Sequence, residues 1–171
     1  MQNLVRANQA TGIVGSFVKG GPRRANPKRL ESTDPTNNVI GRVFQQVAEK
    51  DSFIAADLGT VGVCAGILIT PKDYTLLGTQ AGGTLAASLT LPNFTDVEVA
   101  LEGTIYAFVG NADAGNLIGN ILFYNTATGE ISSDAPDATA PDGFAVIPGG
   151  VVANNNTAGG TLTEIYINIP G

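Results

Sequence analysis

Apolar side chains recur at every second position in several short segments of this chain, and this spacing constrains the fold more than any other feature. In the segment DVEVALEGTIYAFVG, the side chains of Val97, Val99 and Leu101 fall on one face. Glu98 and Glu102 fall on the opposite face. A period of two residues is the pattern of a β-strand that buries one face and exposes the other. Segments of this kind therefore predict strands.

Turn-forming residues separate the predicted strands. They occur in TPKD (70–73), LPN (91–93), GNAD (110–113), NTATG (125–129) and NNN (154–156). Glycine is abundant, with 22 residues. One segment is ambiguous between strand and helix: DPTNNVIGRVFQQVAEKD, whose end could form a helical turn. Short strands separated by turns in this way are typical of a sandwich or a barrel. We predict an all-β fold: a single antiparallel β-sandwich or barrel-like domain.

The first 38 residues do not show this alternation. Glycines and prolines are spread through them, and a proline both stops a helix and forces the preceding residue into extended geometry. We therefore predict an extended basic N-terminal arm over residues 1–38, with one short strand in TGIVGSFV, and a β-sandwich body over residues 39–171. An arm of this length without its own core is usually disordered or ordered by binding.

The charge of the chain is divided along its length. Residues 1–72 hold nine basic and five acidic residues, a net charge of +4, whereas residues 73–171 hold ten acidic and no basic residues, a net charge of −10. This asymmetry indicates that the two parts face different surroundings. The acidic remainder argues against a nucleic-acid partner, which requires a broad basic face. The basic part could steer the chain toward an acidic protein surface, or it could be a solvated, flexible tail.

The sequence offers few groups for catalysis or metal binding. It has no histidine, and its single cysteine, Cys64, lies in the apolar run VGVCAGILI, where a buried and inert thiol is expected. Glu98 and Glu102 would lie about 13 Å apart along a strand, too far for the paired carboxylates of a glycosidase. We expect them to form a solvated strand face.

Two loops carry oxygen ligands without the spacing of an EF-hand: Asn111 and Asp113 in one, and Asp134, Asp137 and Asp142 in the other. We interpret both as surface loops, and we predict no catalytic residue, no cofactor and no metal. No stretch reads as a signal peptide or a transmembrane helix, so we expect no membrane partner and synthesis in the cytoplasm.

Seven segments follow one another along the chain: TGIVGSFVKGGPRRANP, NVIGRVFQQV, GVCAGILITPKDY, GTLAASLTLPNFTDVEVALEGTIYAFV, GNLIGNILFYNTATGEI, APDGFAVIPGGVVANN and GGTLTEIYINI. In this order they resemble the structural cement (decoration) proteins of tailed-bacteriophage capsids. The resemblance covers nearly the whole chain. It implies a jelly-roll β-sandwich on the outer surface of the virion that clamps neighbouring subunits of the major capsid protein. It further implies self-association, as a homodimer or, as the alternative, a homotrimer.

Together, the charge division and the resemblance give a docking hypothesis for the basic residues. We expect contact with acidic groups of the shell through Arg23, Arg24, Lys28, Arg29 and Arg42. The alternative function is a receptor- or glycan-binding β-sandwich of a virion or cell surface. Sugar-binding modules favour exposed aromatic residues, yet this chain has four tyrosines, seven phenylalanines and no tryptophan.

Overall fold

The computed structural model describes the chain in seven stretches: residues 12–18, 20–50, 53–57, 63–69, 90–110, 116–154 and 161–170. The described strands are β1 (Arg24–Leu30), β2 (Val43–Lys50), β3 (Phe53–Asp57), β4 (Val63–Leu68), β5 (Asp96–Gly110), β6 (Ile121–Asn125), β7 (Ile131–Asp134), β8 (Phe144–Val152) and β9 (Thr161–Asn168). The prediction of an all-β fold is confirmed.

Within these stretches the one helix is a single 3₁₀ turn, Pro35–Asn37. Asp34 caps it, since its carboxylate accepts a hydrogen bond from the backbone N–H of Thr36 at 3.0 Å. The segment that could have ended in a helical turn forms strand β2 there instead. No described helix is long and apolar enough to cross a membrane.

The strand pairing closes into two rings that share β5. In the first ring, β5 pairs with β1 and β4, and the circuit is completed by β3 and β2. In the second, β5 pairs with β7 and β9, and β6 and β8 complete the circuit. The pairs β1–β3 and β5–β7 are parallel, so the sheet is mixed. The prediction was a purely antiparallel arrangement. This order does not confirm the jelly-roll topology that the resemblance implied.

Strand β5 can serve both rings because it is 15 residues long, against a usual 3–10. Glu102 belongs to both rings, because it pairs with Arg24 of β1 in the first ring and with Asn168 of β9 in the second. The next residue, Gly103, has φ +136, and a Cβ there would lie 2.8 Å from the ring of Phe17 and 2.9 Å from the Pro22 carbonyl oxygen. Glycine is therefore required where the N-terminal segment crosses β5.

The described part of the predicted N-terminal arm is hydrogen-bonded to the body. The backbone N–H of Val18 donates to the Thr104 carbonyl at 2.8 Å, and Phe17 forms an isolated β-bridge with Ile105. Further along, β1 runs antiparallel to the first half of β5. A separate arm is thus not confirmed, because a segment rich in glycine and proline supplies a strand of the first ring.

Among the described residues, the buried apolar side chains form two clusters. The larger one lies mainly in the second ring and includes Ile105, Leu122, Ile147, Ile165 and Ile167. The smaller one lies in the first ring and is formed by Leu30, Ile40, Phe44, Leu68, Leu91 and Val97. Strand β1 therefore contributes a core side chain as well as hydrogen bonds.

Candidate functional site

Four of the five predicted docking residues lie on or beside β1. Arg24, Lys28 and Arg29 belong to the strand, and Arg23 immediately precedes it. The side chains of Arg23 and Arg24 are exposed, and those of Lys28 and Arg29 are half-buried. Pairing with β5 fixes the positions of the three strand residues, and we call the four cations together the β1 strip. Lys28 and Arg29 are consecutive in the strand, so their side chains point to opposite faces of the sheet.

The N-terminal end of the β1 strip contacts the segment that crosses β5. The guanidinium carbon of Arg23 lies 5.5 Å from the ring centroid of Phe17, within the range of a cation–π contact. Arg23 Nη2 also donates a hydrogen bond to the Val18 carbonyl at 3.0 Å. These two contacts orient the exposed Arg23 side chain.

Arg24 connects β1 to β5 and to Ile169, the residue that follows β9, at the junction of the rings. Its Nη2 donates to the carbonyl of Ile169 at 2.7 Å, and its Nε lies 3.7 Å from Glu102 Oε2. Because both charged groups are partly solvent-exposed, the ion pair itself contributes only about 0–1 kcal/mol. The hydrogen bond to Ile169 holds the end of β9 beside β1.

Lys28 and Arg29 form the other end of the β1 strip. Lys28 Nζ donates to Gln46 Oε1 at 3.1 Å, and partial burial lowers the pKa of Lys28. The guanidinium carbon of Arg29 lies 5.5 Å from the ring centroid of Phe94, a side chain that is 62% exposed. This end of the β1 strip therefore places one cation, Arg29, over an exposed aromatic ring.

Arg42 lies outside the β1 strip and holds two segments of the body together. Its Nη1 donates to Asn37 Oδ1 at 2.7 Å and to the Thr128 carbonyl at 3.2 Å. Its Nη2 donates to Glu130 Oε1 at 2.9 Å. The guanidinium thus connects the 3₁₀ turn to the hairpin between β6 and β7, and these contacts give Arg42 a structural role within the fold.

Along the β1–β5 ladder, the charge division of the sequence is not kept in space. In the β1–β5 ladder, Arg24 lies opposite Glu102, and Arg29 lies opposite Asp96. Between them, Pro27 lies opposite Glu98. Antiparallel pairing therefore brings the basic part of the sequence against acidic residues of the second part. Together with the acidic residues of β5 that lie opposite it, the β1 strip forms a pattern of mixed charges.

Phe94 belongs to this site, although the sequence pattern does not reveal it. Its backbone φ is +64, and among the described residues it is the one non-glycine residue with a positive φ. Nothing in the local pattern LPNFT marks Phe94 as exposed, because the turn depends on side chains that are distant in the sequence. Asn93 receives hydrogen bonds from Ser32 and Asn38, which lie 61 and 55 residues earlier.

The described residues contain no group of three or more His, Cys, Asp or Glu side chains arranged to hold a metal ion. Glu98 and Glu102 are half-buried beside β1 rather than fully solvated. The Cys64 thiol is buried, as predicted, and burial raises its pKa to about 11. A thiol with that pKa stays protonated at neutral pH, which makes it a poor nucleophile. Asp134, Asp137 and Asp142 are exposed, whereas Asn111 and Asp113 lie outside the described residues.

Comparison with known proteins gives a match over almost the whole chain. Residues 1–168 match the phage family described as structural cement protein (E217 gp24/Pam3 gp6). A chain in the capsid of Myoviridae phage XM1 has a similar structure, with a TM-score of 0.56 and 12% sequence identity over 98% of this chain and 97% of that one. That likeness shows a shared fold. No curated protein sequence matches. The chain belongs to the structural cement protein family of phages.

Proposed function

We propose that this protein binds the outer surface of the phage head across neighbouring subunits of the major capsid protein and stabilises the assembled shell. The observation that carries the proposal is the family match over residues 1–168. A protein that binds the assembled lattice more tightly than the free subunit stabilises the lattice by mass action. Because a shell repeats the same junction many times, each site contributes to the stability of the whole particle.

The fold supports this role because it presents a preorganised surface. Each described strand has a neighbour on both sides along some part of its length, and β5 ties the two rings together. A body of this kind loses little conformational freedom when it binds, which lowers the entropic cost of association.

We assign docking on the shell to the β1 strip, Arg23, Arg24, Lys28 and Arg29. Strand β1 sets the spacing of these cations. Asp96, Glu98 and Glu102 of β5 lie beside them across the ladder. A surface of mixed charge favours a partner with the complementary pattern and rejects others by like-charge contact. The docking hypothesis also names Arg42. Its hydrogen bonds to Asn37, Thr128 and Glu130 favour a role within the fold.

We propose self-association as a homodimer, with a homotrimer as the alternative. A dimer that contacts two capsid subunits at once gains avidity without any new contact. Sedimentation equilibrium of the purified protein distinguishes the two states, and a strictly monomeric protein at micromolar concentration would contradict the proposal.

Co-sedimentation with heads built from the major capsid protein of the same phage tests the docking role. The variant Arg23→Gln/Lys28→Gln removes two positive charges from the β1 strip. The control Ala135→Glu/Thr139→Glu changes the net charge by the same amount in an exposed loop after β7. We expect saturable binding of the wild type that weakens with salt, weaker binding of the first variant and unchanged binding of the control. Equal loss in both variants would show a general charge effect instead of docking by the β1 strip.

A further inference from the structure

Phe94 combines an exposed aromatic side chain with an unfavourable backbone conformation. Its ring is 62% exposed, and its φ of +64 lies in the left-handed region, which bulky side chains rarely adopt. Burial of the ring does not compensate for this cost, because most of the ring faces solvent. Strained backbone that persists at an exposed position points to a role in binding.

The surrounding structure holds this turn in place. Asn93 Oδ1 accepts hydrogen bonds from the Ser32 N–H at 3.0 Å and from Asn38 Nδ2 at 2.9 Å. Asn93 Nδ2 donates to the Ser32 carbonyl at 2.8 Å, and the N–H of Phe94 donates to the Leu30 carbonyl at 2.7 Å. Ser32 and Asn38 are buried. The ring of Phe94 is therefore presented from a rigid support rather than from a loose loop.

The ring is paired with a cation of the β1 strip. Arg29 places its guanidinium carbon 5.5 Å from the ring centroid, and Lys28 is the adjacent residue of β1. Aromatic residues and arginine are the types most enriched among residues that dominate binding energy at protein interfaces. An apolar ring with positive charge beside it is complementary to an apolar depression bordered by carboxylates.

We propose that Phe94, backed by Arg29, is the anchor that this protein inserts into an apolar depression on the major capsid protein, with a carboxylate at its rim facing Arg29. This inference rests on the proposed function and adds a residue that anchors the contact. Binding to the shell then explains why Phe94 keeps an unfavourable backbone conformation.

The variant Phe94→Asn tests the anchor because asparagine tolerates the left-handed region and removes the ring. We expect an unchanged or higher melting temperature together with at least about a 30-fold loss of affinity for the heads. Phe94→Tyr keeps the ring and should bind within about threefold of the wild type. The matched control is Phe108→Thr, since Phe108 is 51% exposed in ordinary extended backbone of β5, where threonine is well accommodated.

The outcomes separate the anchor from the proposed function. If the wild type and a folded Phe94→Asn protein bound the heads equally well, the anchor role of Phe94 would be wrong. The proposed binding to the capsid would still stand. An equal loss in Phe108→Thr would also overturn it, because the effect would then follow any exposed ring. If Phe94→Asn dissociated the oligomer while each protomer kept its affinity for the heads, Phe94 would face a second copy and the anchor would be wrong. Absence of wild-type binding would instead contradict the proposed function itself.

Discussion

Arg24 of β1 lies directly opposite Glu102 of β5, with Arg24 Nε 3.7 Å from Glu102 Oε2. The two residues come from parts of the sequence with opposite net charge. Their pairing shows that the folded protein brings its basic and acidic parts together along one ladder. The surface proposed to meet the shell therefore carries both signs of charge, which favours selective over general electrostatic attraction.

Removing the charge of Glu102 should have a small effect on stability. The Glu102→Gln variant loses an ion pair whose two charged side chains are partly exposed, so the free energy of unfolding should fall by less than about 1 kcal/mol. Urea unfolding at low and high salt measures this change. A loss of several kcal/mol would show that the junction of the two rings depends on this pair.

Removing Arg42 should destabilise the fold more strongly. Arg42→Ala leaves the acceptors Asn37 Oδ1 and the Thr128 carbonyl without their donor. We expect the free energy of unfolding to fall by about 1–3 kcal/mol. Glu130→Gln serves as the control and should cost less than about 1 kcal/mol, because the Glu130 side chain is mostly exposed. Equal effects of the two substitutions would contradict a structural role for the contacts with Asn37 and Thr128.

Leu30 tests whether the basic N-terminal region belongs to the folded body. Its side chain is 0% exposed in the smaller core cluster, so Leu30→Ala should lower the free energy of unfolding by about 2–5 kcal/mol. The comparison variant is Ile13→Ala, because Ile13 is 73% exposed and should change stability by less than about 0.5 kcal/mol. If Leu30→Ala were as mild as Ile13→Ala in urea unfolding, residues around β1 would form an independent arm.

Cys64 should make stability depend on pH in the alkaline range. Burial raises the pKa of its thiol from 9.0 to about 11, so the folded protein holds this proton more tightly than the unfolded chain does. The resulting stabilisation is complete below about pH 9 and is lost as the pH rises through about 11. The full change is about 3 kcal/mol.

The comparison of wild type with Cys64→Ala isolates the thiol together with its coupling to Tyr124. Burial is the main cause that raises the pKa of Tyr124, and the charge of Cys64 raises it further. The difference between their free energies of unfolding, measured in urea at pH 8 and pH 11, should shrink by about 2 kcal/mol at the higher pH. A difference that does not change with pH would show that the thiol is accessible to water in the folded state.

The strands with clear alternation could be predicted from the sequence because their pattern records burial directly. Val97, Val99 and Leu101 are buried on β5 as predicted, and so are Ile165 and Ile167 on β9. Within the run VGVCAGILI, Val63–Leu68 form strand β4, most of which is buried, as expected for a strand covered on both sides. Local sequence was sufficient for these elements, since the periodicity and the buried face are properties of each strand alone.

Strand β1 could not be predicted in the same way. Its sequence RANPKRL lacks alternation and contains a proline, and it becomes a strand because the first half of β5 supplies the partner. The two strands are separated by more than 60 residues, so no local pattern reveals the pairing. The same distance explains why the local sequence does not reveal Phe94. Its exposure and its backbone conformation depend on contacts with residues near β1.

The central claim is that this protein recognises the assembled shell rather than the individual capsid subunit. The most direct measurement is the affinity of the wild-type protein for intact heads and for unassembled major capsid protein of the same phage, under identical buffer and salt. We predict saturable binding to heads with an affinity at least about tenfold higher than for free subunits, because a site that spans subunits exists only in the lattice. Equal affinity for heads and subunits, or no binding to heads, would contradict the claim.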